Sequence, residues 1–186
     1  MRKIYSFFIT IILSASVFAQ NAGSYSFLTN STSSLELDIN SNSIDMTSGT
    51  TQLIAAGSDD VASTVNNIGF TFTFNNTNFT TFSVNSNGFL GLGSTAIVTS
   101  TSVNGSSTRP VIAAFGGDHA TVTSAGANSK VHFKLFGTAP NRVLVIEWRN
   151  MKFNWTSYAS ATTGDGTFQV LLYETTGIVE LKYGAM

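Results

Sequence analysis

The chain reads as an all-β protein, an antiparallel two-sheet β-sandwich of jelly-roll-like strand number preceded by a signal peptide. Three observations carry that reading. Apolar and polar residues alternate with period two in segment after segment, while no sustained helical stripe occurs. Turn-forming residues punctuate those segments about every 8–15 residues, the spacing of a sandwich. Ser, Thr and Asn together supply 65 of the 186 residues, and all three favour turns and strand surfaces over helix interiors.

The first element is a leader. Arg2 and Lys3 precede the apolar run Ile4–Leu13, and Ser14-Ala15-Ser16-Val17-Phe18-Ala19 supplies small residues. That is the order of a secretory signal. The apolar run is shorter than the roughly 18–20 residues a membrane span needs. Val17 and Ala19 place the cut before Gln20, so residues 1–19 are the signal and 20–186 one sandwich module with no later membrane span. Losing Arg2 and Lys3 leaves seven basic against ten acidic side chains, a formal charge of −3.

The strands follow in order. Ser34–Ile39 and Thr51–Ala55 read as short strands. Gly69-Phe70-Thr71-Phe72-Thr73-Phe74 puts three Phe on one face and two Thr on the other, a core strand. Asn75-Asn76-Thr77-Asn78 turns the chain, and Phe79–Val84 returns. Asn87-Gly88 suits a two-residue type I′ hairpin turn, with Phe89-Leu90-Gly91-Leu92 as its second arm. Residues 94–108 read as a loop, after which Pro110 opens the run Val111–Phe115. Val131, Phe133 and Leu135 alternate with Lys130, His132 and Lys134. Arg142–Trp148 is apolar on both faces and therefore central and covered twice. Phe168–Tyr173 and Ile178–Tyr183 form a third hairpin around Glu174-Thr175-Thr176-Gly177. About ten or eleven strands result. Tyr183-Gly184-Ala185-Met186 follows the last of them directly, so the module is expected to belong to a longer protein, C-terminally incomplete as it stands.

Composition excludes several functions. Charged residues are 10 % of the chain and cysteine is absent, which removes disulfide scaffolds, thiolate zinc sites, iron–sulfur clusters and cysteine nucleophiles. Nine basic residues against ten acidic ones leave no footprint for nucleic acid. Export without cysteine points to a bacterial product.

The ordered series of motifs then resembles a known module. Phe70-Thr71-Phe72-Thr73-Phe74 is followed by Phe82-Ser83-Val84-Asn85-Ser86-Asn87-Gly88-Phe89-Leu90, then by Val111-Ile112-Ala113-Ala114-Phe115-Gly116-Gly117-Asp118. Ala139-Pro140-Asn141-Arg142-Val143-Leu144-Val145-Ile146-Glu147-Trp148 and the closing hairpin 168–184 complete it. This series resembles an N-terminal β-sandwich module of secreted Bacteroidetes surface proteins, and its hairpin and late strands look distantly like the extracellular domain of nidogen. The match departs at Gly116-Gly117, where the module has Trp and an acid. The resemblance implies a secreted or cell-surface location, a type IX secretion context and fibronectin-type repeats further along such proteins.

Few residues offer chemistry. Asp118-His119 is the one adjacent acid and imidazole, and it reads as an exposed loop pair. His132, between two lysines, reads as solvated. No G-x-S-x-G nucleophile elbow exists, so no catalytic residue is assigned. Asp59-Asp60 and Thr163-Gly164-Asp165-Gly166-Thr167 each present oxygens, but neither carries more than two carboxylates against the six to eight ligands of calcium. Turn chemistry accounts for both, and no metal or other cofactor is assigned. Trp148 reads as core. Trp155 and Tyr158 lie in a polar stretch and are the ligand-binding candidates, aromatic rings suited to a glycan or an extracellular protein.

Three functions remain: a non-catalytic adhesion or recognition module, an accessory N-terminal domain of a secreted hydrolase, and a structural spacer. The first leads, on the signal, the strand pattern, the resemblance and the missing catalytic set.

Overall fold

The computed structural model describes residues 25–31, 34–99, 102 and 110–186. The expected signal, 1–19, lies outside the described residues, as does much of the loop 94–108. Ten strands are present among them: β1 (Thr51–Ile54), β2 (Asn66–Phe74), β3 (Thr77–Val84), β4 (Phe89–Leu92), β5 (Val111–Ala113), β6 (Ala120–Thr121), β7 (Lys130–Phe136), β8 (Val143–Lys152), β9 (Gly166–Tyr173) and β10 (Val179–Tyr183). Among the described residues helix is confined to two 3₁₀ turns, Ala125–Ala127 and Trp155–Ser157.

The strands form two antiparallel sheets. One has the order β1-β7-β8-β9-β10, with β6 pairing β8 beyond the end of β7; the other runs β2-β3-β4-β5. Period-two alternation decides which side chains meet. Phe70, Phe72, Phe82, Val84, Leu90 and Leu92 from the smaller sheet face Leu144, Ile146, Trp148, Phe168, Val170 and Leu172 from the larger, in one buried cluster. Phe72, Phe82 and Trp148 are fully buried, and Phe74 packs at the edge of the cluster. The expected shared face of the three Phe is present.

β8 is covered on its second face too, as its doubly apolar sequence requires. Val143 and Val145 join Leu171 and Tyr173 there, under Ile44 and Met46. The cover is an irregular strap, residues 34–50, laid across the outer face of the larger sheet. Its ties are polar: Tyr173 Oη accepts from the Ile39 amide at 3.1 Å, and Lys134 Nζ donates to the Asp45 and Ser48 carbonyls at 2.9 Å each.

Three local expectations are corrected. Residues 34–39 are not a strand; only an isolated bridge, Leu37 to Ser43, survives. Asp38 Oδ1 takes the Asn40 and Asn42 amides at 2.9 and 2.7 Å, a side-chain alternative to ladder pairing. Asn87-Gly88 is not a two-residue type I′ turn, because only Gly88 of the pair has positive φ, +82°. The Asn85 amide reaches the Phe89 carbonyl at 3.0 Å, which closes a three-residue loop, Ser86-Asn87-Gly88, with glycine in the left-handed position. The two-residue turn with both φ positive is Asn75-Asn76, at +48° and +58°. His132, finally, is not solvated but fully buried, because the strap covers the face that alternation assigned to water.

Candidate functional site

The Trp155–Tyr158 turn sits on the connection between β8 and β9. Asn154 starts it, its Oδ1 accepting from the Thr156 amide at 3.0 Å and from Thr156 Oγ1 at 2.7 Å, the capping chemistry of an Asn before a helical turn. The base of the connection is clamped by Asp165, which takes Lys152 Nζ at 2.5 Å and the Phe153 amide at 2.9 Å. Burial works to raise the Asp165 pKa, but Lys152 and the Phe153 amide together hold it below the usual carboxylate range. That engagement uses the carboxylate of the 163–167 segment in an internal bridge. Above the clamp, Trp155 is 47 % exposed and Tyr158 half-buried. Three residues apart on a 3₁₀ turn, the two lie on one side of it. Trp148, by contrast, is fully buried and stacks on Phe168 at 5.2 Å between ring centroids.

Asp118 and His119 part company. Asp118 is exposed, while His119 is 4 % exposed and stacks on Phe115 with an interplanar angle of 8°. Its Nε2 lies 2.9 Å from the Phe115 carbonyl and its Nδ1 3.3 Å from that of Phe153. Burial lowers the His119 pKa against the opposing pull of those carbonyls and of Asp118. The expected exposed pair is thus half right. The imidazole is a core ring: the missing Cβ of Gly117 leaves it room, since one built there would lie 2.4 Å from His119 Cε1.

Asp118 instead meets Asp59 and Asp60, and the three offer carboxylate oxygens within 4.8 Å of one another. An isolated bridge between Asp59 and Ala120 brings the segments together. Asn87 Nδ2 donates to Asp60 Oδ1 at 3.0 Å, and Asp59 Oδ1 is buried without a hydrogen-bond partner among the described residues. Burial raises the Asp59 pKa first, then the charges of Asp60 and Asp118. Sequence reasoning missed this convergence, because no local spacing relates residues about 58 apart.

A second polar group also escaped it. His132 Nε2 bonds Glu147 Oε1 at 2.9 Å, His132 Nδ1 meets Thr50 Oγ1 at 2.9 Å, and Gln169 Nε2 donates to Glu147 Oε2 at 2.6 Å. The three strands β7, β8 and β9 each contribute one member in register, His132 opposite Glu147 and Glu147 opposite Gln169. The one available signal is that each of these polar residues interrupts the outward face of a strand otherwise carrying valine, leucine or a long side chain.

A family model described as NIDO related matches residues 17–186. No curated protein and no solved structure matches the chain.

Proposed function

The chain belongs to the NIDO-related family, and from that premise we propose that it is an exported, non-catalytic recognition module of a bacterial secreted or cell-surface protein. The observation that carries the proposal is the Trp155–Tyr158 turn: a large ring 47 % exposed on a connection whose base Asp165 clamps. Rigid aromatic side chains in loops contribute much contact area at little entropy cost. Loops at the ends of a sandwich are where such folds carry binding. The ligand class is a glycan or an extracellular protein, held by Trp155 and Tyr158.

Recognition without turnover is supported by the state of the imidazoles. A general base must reach its substrate's proton. His119 is locked in an aromatic cluster and His132 is buried on Glu147. No helix among the described residues is long and apolar enough to cross a membrane, and the leader read at 1–19 supports export.

The test has two parts. Intact mass of the exported protein is expected to show Gln20 at the N-terminus; a species retaining residues 1–19 contradicts cleavage. Residues 20–186 are then applied to glycan and extracellular-matrix arrays, and bound ligand is recovered and weighed by mass spectrometry. Saturable binding with unchanged ligand mass supports the proposal. Ligand cleavage favours a hydrolase, and no binding to either array favours a spacer.

A further inference from the structure

The strap leaves a cleft between itself and the larger sheet, and the geometry points to a binding site for a neutral carbohydrate there. The cleft has a volume of about 380 Å3 and is lined by Ile44, Met46, Glu147, Arg149, Thr167 and Gln169 among others. That volume lies within the range of small-molecule sites, roughly 300–1,000 Å3. A second cleft, at the Asn75-Asn76 turn, measures about 270 Å3 and falls below it.

The floor is built and incomplete. Gln169 is 1 % exposed. Its orientation is fixed, because Nε2 must be the atom that donates to the Glu147 carboxylate at 2.6 Å, an acceptor when ionised. Gln169 Oε1 is thereby turned away from the chain His132–Glu147–Gln169, and it is buried with no hydrogen-bond partner among the described residues. A buried acceptor in that state costs free energy until a donor reaches it. One water fills about 30 Å3, an order of magnitude less than the cleft.

The surrounding groups select the donor. Glu36, Asp45 and Glu147 line the cleft beside a single guanidinium, Arg149. An anionic ligand meets three carboxylates, and an ammonium, which only donates, leaves Arg149 without an acceptor. Asp45 is already occupied by the Thr47 amide at 2.8 Å, Thr47 Oγ1 at 2.5 Å and Ser48 Oγ at 3.1 Å. A hydroxyl both donates and accepts. A neutral sugar can therefore give one O–H to Gln169 Oε1 and take a bond from Arg149. The site shares no residue with the Trp155–Tyr158 turn. Its ligand class rests on the recognition reading, and the two sites report separately.

The test is a ¹H–¹⁵N titration of residues 20–186 with the methyl glycosides of glucose, galactose, mannose and N-acetylglucosamine, and with methylammonium. Saturable shifts of the Gln169 side-chain amide are expected with at least one glycoside, with binding weakened at least about tenfold, or about 1.4 kcal/mol, in Arg149→Ala. Arg149 is half-buried at the cleft wall, and the unligated spectrum of the variant shows whether it is folded. Gln169 shifts with methylammonium alone, or no shift with any glycoside, overturn the proposal. Shifts confined to the Trp155 indole overturn it while sustaining recognition at the turn.

Discussion

The indole N–H of Trp148 donates to the backbone carbonyl of Asn85 at 2.8 Å, with both residues fully buried. This bond joins β8 of the larger sheet to the β3–β4 connection of the smaller one across the core. Trp148→Phe keeps an aromatic ring against Phe168 but removes the donor, and we expect a loss of about 1–3 kcal/mol. Trp148→Ala adds a cavity and should cost about 3–5 kcal/mol. Urea denaturation measures both; a Phe variant within about 0.5 kcal/mol of wild type contradicts the cross-sheet bond.

Gly88 carries two constraints at once. Its φ is +82°, and a Cβ there would stand 2.1 Å from the Phe115 carbonyl oxygen, a main-chain atom that cannot swing aside. Gly88→Ala should destabilise by more than the roughly 1–3 kcal/mol of backbone strain alone. Gly126 is the control, since its nearest atom is Ser124 Oγ at 3.9 Å. Gly126→Ala is expected within about 0.5 kcal/mol of wild type. Equal midpoints in thermal unfolding for the two variants would show that Gly88 is not confined.

These residues also mark what a sequence can disclose. Alternation names the faces of a strand: it places Phe70 and Phe72 inward and Trp148 in the core, and all three are buried. The doubly apolar β8 announced that something covers its second face. What covers it was not legible, because the strap 34–50 is held by Asp38 turns, Tyr173 and Lys134 rather than by any periodic pattern. His132 reads as solvated for the same reason: its lysine neighbours describe the face, not its cover. His119 reads as a loop residue among glycines, yet Gly117 is what admits its ring to the core. The carboxylate convergence of Asp59, Asp60 and Asp118 is purely tertiary. Trp155, by contrast, reads as a surface residue from its polar stretch, and it is exposed.

That carboxylate convergence predicts a pH effect. Asp59 has a folded pKa raised above its ordinary value, first by burial and then by Asp60 and Asp118. A raised acid contributes stability that is present below its unfolded pKa and is lost as pH rises through the folded one. At neutral pH the three charges oppose folding. Asp118→Asn removes one of them and should stabilise by up to about 1 kcal/mol at neutral pH, the scale of a largely exposed interaction. The gain should shrink at acid pH, below the raised Asp59 pKa, where that carboxyl holds its proton. Paired melting curves of variant and wild type at both pH values check this; a gain independent of pH contradicts the electrostatic reading.

Recognition through the β8–β9 connection is tested most directly by Trp155→Ala, measured for ligand binding and melting temperature in the same preparation. Trp155 is 47 % exposed, and Asn154 shapes its turn through bonds to Thr156 rather than through the ring. Binding should weaken at least about tenfold, about 1.4 kcal/mol, with the melting temperature nearly unchanged. Unchanged binding, or a large fall in melting temperature, contradicts it.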